Sequence, residues 1–249
     1  MFTRALIDGD SLLYRCGFAA NTEPVENALH NFKHQMQGIK DATGVQYPEL
    51  YIKGTGNFRD SISVSRVYKG QRRQPKPVHY DALREYAKSV HHAVEVDGME
   101  VDDLVSVELW ENRSRASGVI LVAIDKDLWN TPGWHYNYHP KRLTTEYVTT
   151  KEADRNFLKQ LLTGDAVDNI PGIPGIGERK AEAILVELDT KEAMRAVWEA
   201  YRTYGCTQGW DDEGTRTYLL EQGRLLWMTR RLHPDGSPVL WDIPKFIWN

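Results

Sequence analysis

Nine carboxylates stand at places in this 249-residue sequence where side chains can converge. Asp8 and Asp10 follow the apolar run "RALI", Glu100, Asp102 and Asp103 follow "HAVEVDG", and Asp125 and Asp127 close "GVILVAID". Asp165 and Asp168 lie in a separate run, directly before "NIPGIPGIG". Gathered in one crevice, so many negative charges would repel one another unless cations were held among them. Hard oxygen donors in that number suit Mg²⁺ or Mn²⁺ rather than zinc. Taken singly, each acid also has a plain structural use. Asp102 and Asp103 would compensate the dipole of a helix that starts there, and Asp8 before Gly9 would serve a turn. Coincidence at three strand ends favours a shared site, and the Glu100-Val101-Asp102-Asp103 spacing lets several oxygens face a crevice while Val101 packs inward.

Two further patterns could engage anions. In "TGDAVDNIPGIPGIGERKAEAIL" the prolines fix φ and the glycines permit positive φ, so the chain turns sharply and bares backbone N–H groups where Glu178-Arg179-Lys180 opens a helix. A plain turn between packed helices is the other use of such a loop. Arg66, Lys69, Arg72, Arg73, Lys76, Arg84 and Lys88 form a basic window opposed only by Asp81 and Glu85, within a chain of net charge −4. That local excess is a candidate phosphate contact surface.

The elements that must position these residues are read from periodicity. Residues 4–9, 49–54, 92–98 and 118–125 read as strands, the last a continuous apolar run of the kind buried on both faces of a parallel sheet. A helix begins at "SLLYRCGFAA", and helical patterns over 25–41, 79–91 and 101–113 separate the strands. Such alternation predicts an α/β core with its ligand crevice beyond the carboxyl ends of the strands. The helical patterns over 151–162, 178–188, 191–203 and 215–231 predict a second half packed on the sheet. The expected division is therefore an α/β core over 1–150 and a helical region over 151–249. Trp129, Trp134, Tyr136 and Tyr138 are expected to pack the sheet, and His91 and His92 to be ordinary strand residues.

A hydrophobic content of 41% suits a sizeable core, and two cysteines, Cys16 and Cys206, are too few for a disulfide framework or a thiolate zinc site. No apolar run is long enough to span a bilayer and no signal peptide is indicated, so the expectation is a cytoplasmic protein without a membrane partner.

Five segments, "LIDGDSLLYR", "NFRDSISVSRVYKGQR", "DGMEVDDLVS", "AIDKDLWN" and "GDAVDNIPGIPGIGERKA", together resemble the flap endonuclease and 5′-nuclease family. That family includes bacteriophage 5′-to-3′ exonucleases and the 5′-nuclease domain of bacterial DNA polymerase I. The resemblance implies a PIN-like parallel-sheet nuclease core, a helical arch over about 66–92, and a helical DNA-binding half with a helix-hairpin-helix-like motif. It implies a two-metal phosphodiesterase, using Mg²⁺ or Mn²⁺, that acts on DNA with a free 5′ end, on 5′ flaps or on nicked and branched duplex. A monomer is expected, in the host cytoplasm if the chain is a bacteriophage protein. Asp8, Glu100, Asp102, Asp103, Asp125, Asp127, Asp165 and Asp168 match the family's metal-binding acids. "YKGQR" matches a Tyr-Lys-x-x-Arg run at the base of the arch, which makes Lys69 and Arg72 catalytic candidates. Arg73, Gly172, Gly175, Gly177 and Lys180 become DNA-binding candidates, with a K⁺ ion expected at the hairpin.

One departure stands out. Cellular members of the family usually end the second strand on an aspartate, whereas "LYIKGTGNFRD" has Ile52, Lys53 and Gly54 there. Asp10 is an extra acid that either supports the metal site or caps the helix after it. Two rival readings follow. "ALIDGDSLLY" also fits the Asp-x-Asp opening of haloacid-dehalogenase-type phosphatases, with a nucleophilic first aspartate, and loss of the second-strand acid would suit a catalytically inactive DNA-structure-binding protein.

Overall fold

The computed structural model describes residues 1–247 of the chain. At its centre β1 (Arg4–Asp8) lies between β2 (Glu49–Lys53) and β4 (Val119–Val122), and the sheet order is β3-β2-β1-β4-β5-β6, with β3 at Val94–Val96, β5 at Gly133–Asn137 and β6 at Thr144–Val148. β1 to β5 run parallel, and β6 turns back antiparallel on β5. The two-residue period of β1 and β4 assigns their side chains to opposite faces. Ala5, Ile7, Ile120 and Val122 pack in one cluster with α1 (Gly9–Ala19), α2 (Val25–Thr43) and α4 (Tyr80–His91). Leu6, Val119 and Leu121 pack on the other side with α5 (Val101–Glu111). The short α3 (Arg59–Ile62) follows β2.

From Thr150 onward the described chain is mainly helical: α6 (Thr150–Thr163), α7 (Glu178–Leu185), α8 (Thr190–Thr207) and α9 (Asp212–Leu226). Thr149 with Glu152, and Asp189 with Glu192, form capping boxes that fix where α6 and α8 begin. These helices bury their own apolar cluster, which includes Phe157, Leu161, Val197, Tyr201 and Leu219 and receives Tyr68 from the first half of the chain. The fully buried Arg59 joins the two clusters. Its guanidinium donates to both oxygens of Asp103 on α5, and to the carbonyls of Leu225 at 2.9 Å and Trp227 at 2.8 Å.

Several expectations change. β5 and β6 enlarge the sheet beyond the four strands read from periodicity; Tyr136 and Tyr138 are buried against it, but Trp129 sits in a 3-10 turn at Asp127–Asn130. His91 ends α4 and His92 is its left-handed cap at φ 53°, so neither is a strand residue. In the arch region only α4 is helical. Residues 66–79 form an irregular strap, because Gly70, Pro75 and Pro77 interrupt any helix there.

Candidate active site

The carboxyl ends of β1 and β4 open onto a crevice of about 370 Å³. Asp8, Asp10, Glu100, Asp102, Asp125, Asp127, Asp165 and Asp168 all line it, together with Tyr68, Lys69, Arg72, Lys53, Lys126 and Gln160. Each acid is placed by local chemistry. Asp8 ends β1 and caps α1, accepting from the N–H of Asp10 at 3.0 Å and of Ser11 at 3.4 Å. The turn between them needs a glycine, since a Cβ on Gly9 would stand 2.4 Å from the Tyr51 carbonyl. Asp10 is therefore not the cap. Its carboxylate accepts from the Lys53 N–H at 3.0 Å, which holds it against the end of β2. Asp125 accepts from the Asp127 N–H at 2.9 Å, and Asp127 accepts from the Gln160 side chain. Asp165 folds its own loop by accepting from the N–H groups of Val167 at 2.7 Å and Asp168 at 3.2 Å.

Asp103 is the exception among the predicted metal acids. It is fully buried on the far side of α5, paired with Arg59 and accepting from the Thr229 N–H at 3.1 Å. One residue along a helix is a rotation of about 100°, so Asp102 and Asp103 cannot face the same crevice. Asp103 is a structural ion-pair partner.

The charges in the crevice are unevenly matched. Glu100 meets Lys69, the Tyr68 hydroxyl at 2.8 Å and Arg59 at 3.6 Å. Burial works to raise the pKa of Glu100, but Lys69 and Arg59 outweigh it and hold the carboxyl below its usual range. Asp168 accepts from Arg72 at 2.6 Å and from Tyr68 at 3.0 Å. Asp8, Asp10, Asp102 and Asp125 have no ion pair among the described residues. Burial, then the charges of Asp10 and Asp125, push Asp8 up to about 7. Burial, then Asp8 and Asp125, raise Asp102 well above the carboxylate range. Burial with Asp125 and Asp165 raises Asp127 to about 7. A donor set of hard oxygens that is short of positive charge is what a divalent cation fits. Among the described residues no three acids are closed into a ready cage, so the oxygens would have to draw in around an ion.

A strap crosses the rim. Val64 and Ser65 donate to Glu221 on α9 at 2.7 Å each, the Asn169 side chain donates to the Val67 carbonyl at 2.9 Å, and the Lys69 N–H donates to the Asp168 carbonyl at 2.9 Å. At its other end Val78 donates to Asn21 at 2.8 Å, and His79 meets the Glu23 carbonyl at 2.7 Å. Lys69 takes the left-handed backbone region at φ 55°, which a lysine adopts only when neighbours over-determine it. Arg73 is exposed in the middle of the strap. The basic window does not all face this crevice: Arg84 and Lys88 pair with Glu95, and Lys76 lies over the Tyr80 ring.

The glycine–proline loop divides into two parts. Gly172 is buried, at φ 57°, and packs against Gly164 so tightly that a Cβ would lie 2.3 Å from the Gly164 nitrogen. Its N–H donates to Gln222 at 3.1 Å and its carbonyl accepts from the Tyr218 hydroxyl at 2.9 Å. With both backbone groups used, Gly172 shapes the loop and has none left for DNA. Gly175, at φ 87°, and Gly177 are exposed with open space where a side chain would be. Gly177 precedes α7 without a side-chain cap, and Lys180 returns its ammonium to the Gly175 carbonyl at 2.8 Å. Lys126 and Gln160 join the site with no role read for them in the sequence, as does Tyr68, which opens the "YKGQR" run. Lys126 could have been given one, since it lies between two predicted acids.

No family model matches the chain. The DNA polymerase I of Bacillus caldotenax is 28% identical over 214 residues, covering 77% of this chain and 24% of that one. This chain thus spans about a quarter of that relative's length. A protein named 5′-3′ exonuclease from Aquifex aeolicus is 24% identical over 220 residues, covering 81% of this chain and 75% of the other. The bacteriophage T5 5′-exonuclease, solved with divalent zinc ions, superposes with a TM-score of 0.65 at 15% identity over 90% of this chain and 89% of that one. The T5 flap endonuclease in a complex with DNA and metal ions gives 0.64 at 14% identity over 89% of each. The chain resembles 5′-nucleases in sequence, and its fold is that of the PIN-like 5′-nucleases.

Proposed function

We propose that the chain is a divalent-metal-dependent 5′-to-3′ exonuclease and structure-specific 5′-flap endonuclease that hydrolyses DNA phosphodiester bonds. The observation that carries this reading is the meeting of eight carboxylates, from the ends of β1 and β4, the start of α5 and the α6–α7 loop, in a crevice rimmed by Lys69 and Arg72. Two Mg²⁺ or Mn²⁺ ions would supply a nucleophilic water there and Lewis-acid stabilisation of the phosphate. Asp8, Asp102 and Asp125 would hold the core side of the site. Asp127, Asp165, Asp168 and Glu100 would hold the other side, some through water. Asp10 would support the core side in place of a second-strand acid, a reading supported by its bond to the Lys53 N–H at the end of β2.

Lys69 and Arg72 would give up Glu100 and Asp168 for the scissile phosphate and offset charge that grows on it. The exposed backbone at Gly175 and Gly177, with Lys180, would grip duplex phosphates, and a K⁺ ion would fit among the loop carbonyls. Arg73 would meet the strand beneath the strap. The protein would act as a monomer in the cytoplasm, and no helix among the described residues is long and apolar enough to cross a membrane.

The test is end-labelled 5′-flap DNA incubated with Mg²⁺, with the products sized. Short 5′ products that disappear in Asp125→Asn, while flap binding persists in Ca²⁺, are expected. Binding without cleavage at any Mg²⁺ or Mn²⁺ concentration would leave an inactive DNA-structure-binding protein. A phosphoryl group trapped on Asp8 would favour a phosphatase, against which stands the use of that carboxylate as the α1 cap.

A further inference from the structure

Lys126 stands between Asp125 and Asp127 in the turn after β4, and its ammonium reaches back over the crevice. It lies 3.3 Å from Asp165 Oδ2 and 3.9 Å from Asp127 Oδ1. Among the described residues it is the one cation paired with either acid. The other Asp165 oxygen, Oδ1, is committed to the N–H groups of Val167 and Asp168. Lys126 therefore covers the oxygen of Asp165 that is left for an outside partner. Yet the lysine is weakly held: its side chain is 68% exposed, against 4% for Asp165. An exposed lysine–carboxylate contact is worth little and exchanges readily. Arg59, by contrast, is fully buried and bonded four ways.

We propose that Lys126 is an exchangeable counter-ion that occupies the Asp127–Asp165 half of the crevice and competes there with a divalent cation. The inference rests on the reading of the crevice as a metal site. It makes the two halves unequal, because Asp8, Asp102 and Asp125 have no ion pair to displace, whereas Asp127 and Asp165 have one. It also couples that half to substrate. A phosphate at the rim offers the displaced ammonium another partner, so DNA and the second ion favour each other's binding, and the coupling is reciprocal.

The experiment is Mn²⁺ binding to the full chain without DNA, followed by calorimetry, for wild type, Lys126→Gln, Lys126→Arg and Asp125→Asn. Lys126→Gln should tighten the weaker Mn²⁺ position about two- to fivefold, the equivalent of one exposed ion pair, and leave the tighter one nearly unchanged. Lys126→Arg keeps the charge and should stay near wild type. Unchanged binding in Lys126→Gln, equal tightening of both positions, or tightening by Lys126→Arg as large as by Lys126→Gln would each overturn the proposal. Asp125→Asn separates the two levels. If it weakens Mn²⁺ binding while Lys126→Gln changes nothing, the metal site stands and the counter-ion role falls. If it too has no effect, the metal reading itself has failed.

Discussion

Replacing Asp8 with asparagine should abolish cleavage and, at the same time, make the metal-free protein more stable. The side chain is almost fully buried with its charge unmatched, and its pKa is pushed up to about 7 by burial and then by Asp10 and Asp125. In the unfolded chain the same group titrates near 3.9. Between those values the folded protein binds a proton that the unfolded chain does not, so stability falls as pH rises through about 7 and recovers toward pH 4. At pH 8 the charged carboxylate therefore costs the folded state on the order of several kcal/mol, a pKa difference of one being worth about 1.36 kcal/mol. Asparagine keeps an oxygen to accept from the N–H groups of Asp10 and Ser11, so the α1 cap survives while the charge is removed. Urea denaturation in EDTA at pH 8 and pH 5.5 measures the effect: Asp8→Asn should exceed wild type by several kcal/mol at pH 8, with the gap narrowing at pH 5.5. A variant no more stable than wild type at pH 8, or an advantage of equal size at both pH values, would refute the reasoning.

Lys69→Ala should lower the maximal cleavage rate roughly a hundredfold with a smaller change in DNA affinity, because its charge matters most as the phosphate gains charge; single-turnover rates against a binding isotherm in Ca²⁺ separate the two. Gly177→Val should fold normally, since its φ of −97° and the open space around it accept a side chain, yet weaken duplex binding severalfold by masking the start of α7. Unchanged duplex affinity would remove the loop from the interface. Arg59→Met should cost about 3–5 kcal/mol in chemical denaturation by leaving Asp103 buried and unpaired, and adding Asp103→Leu should recover much of the loss.

The strand-end acids were legible because buried apolar runs announce a parallel sheet, and such a sheet gathers its ligands at one edge. β5 and β6 were not, since "GWHYN" and "TTEYV" mix aromatic with polar residues and lack a continuous apolar run. Asp103 could not be told from Asp102 by type or spacing. Its partner Arg59 lies 44 residues upstream on α3, and only the fold sets that guanidinium between Asp103 on α5 and the Leu225 carbonyl at the end of α9. Gly172 failed for a related reason. A glycine that meets phosphate and a glycine that meets another backbone read alike, and Gly164, Gln222 and Tyr218 decide the matter in space. Asp10 fits two roles in the sequence, and only the fold brings the Lys53 N–H to its side chain.

The strap over the rim is fastened at both ends, to Glu221, Asn169 and Asp168 on one side and to Asn21 and Glu23 on the other. Between Arg72 and Val78 five residues make none of those ties, though Pro77 is buried against Gly17 and Lys76 lies over the Tyr80 ring, and the whole span reaches at most about 20 Å when fully drawn out. A fastened bridge of this kind turns a groove into an eyelet. Under the proposed function, a DNA strand lying in the crevice would be encircled and would have to be fed in by an end, so a covalently closed single-stranded circle, with no end to offer, would be excluded. Loss of the exposed Arg72–Asp168 pair would slacken the eyelet without opening it, because the strap is covalently continuous with α3 and α4.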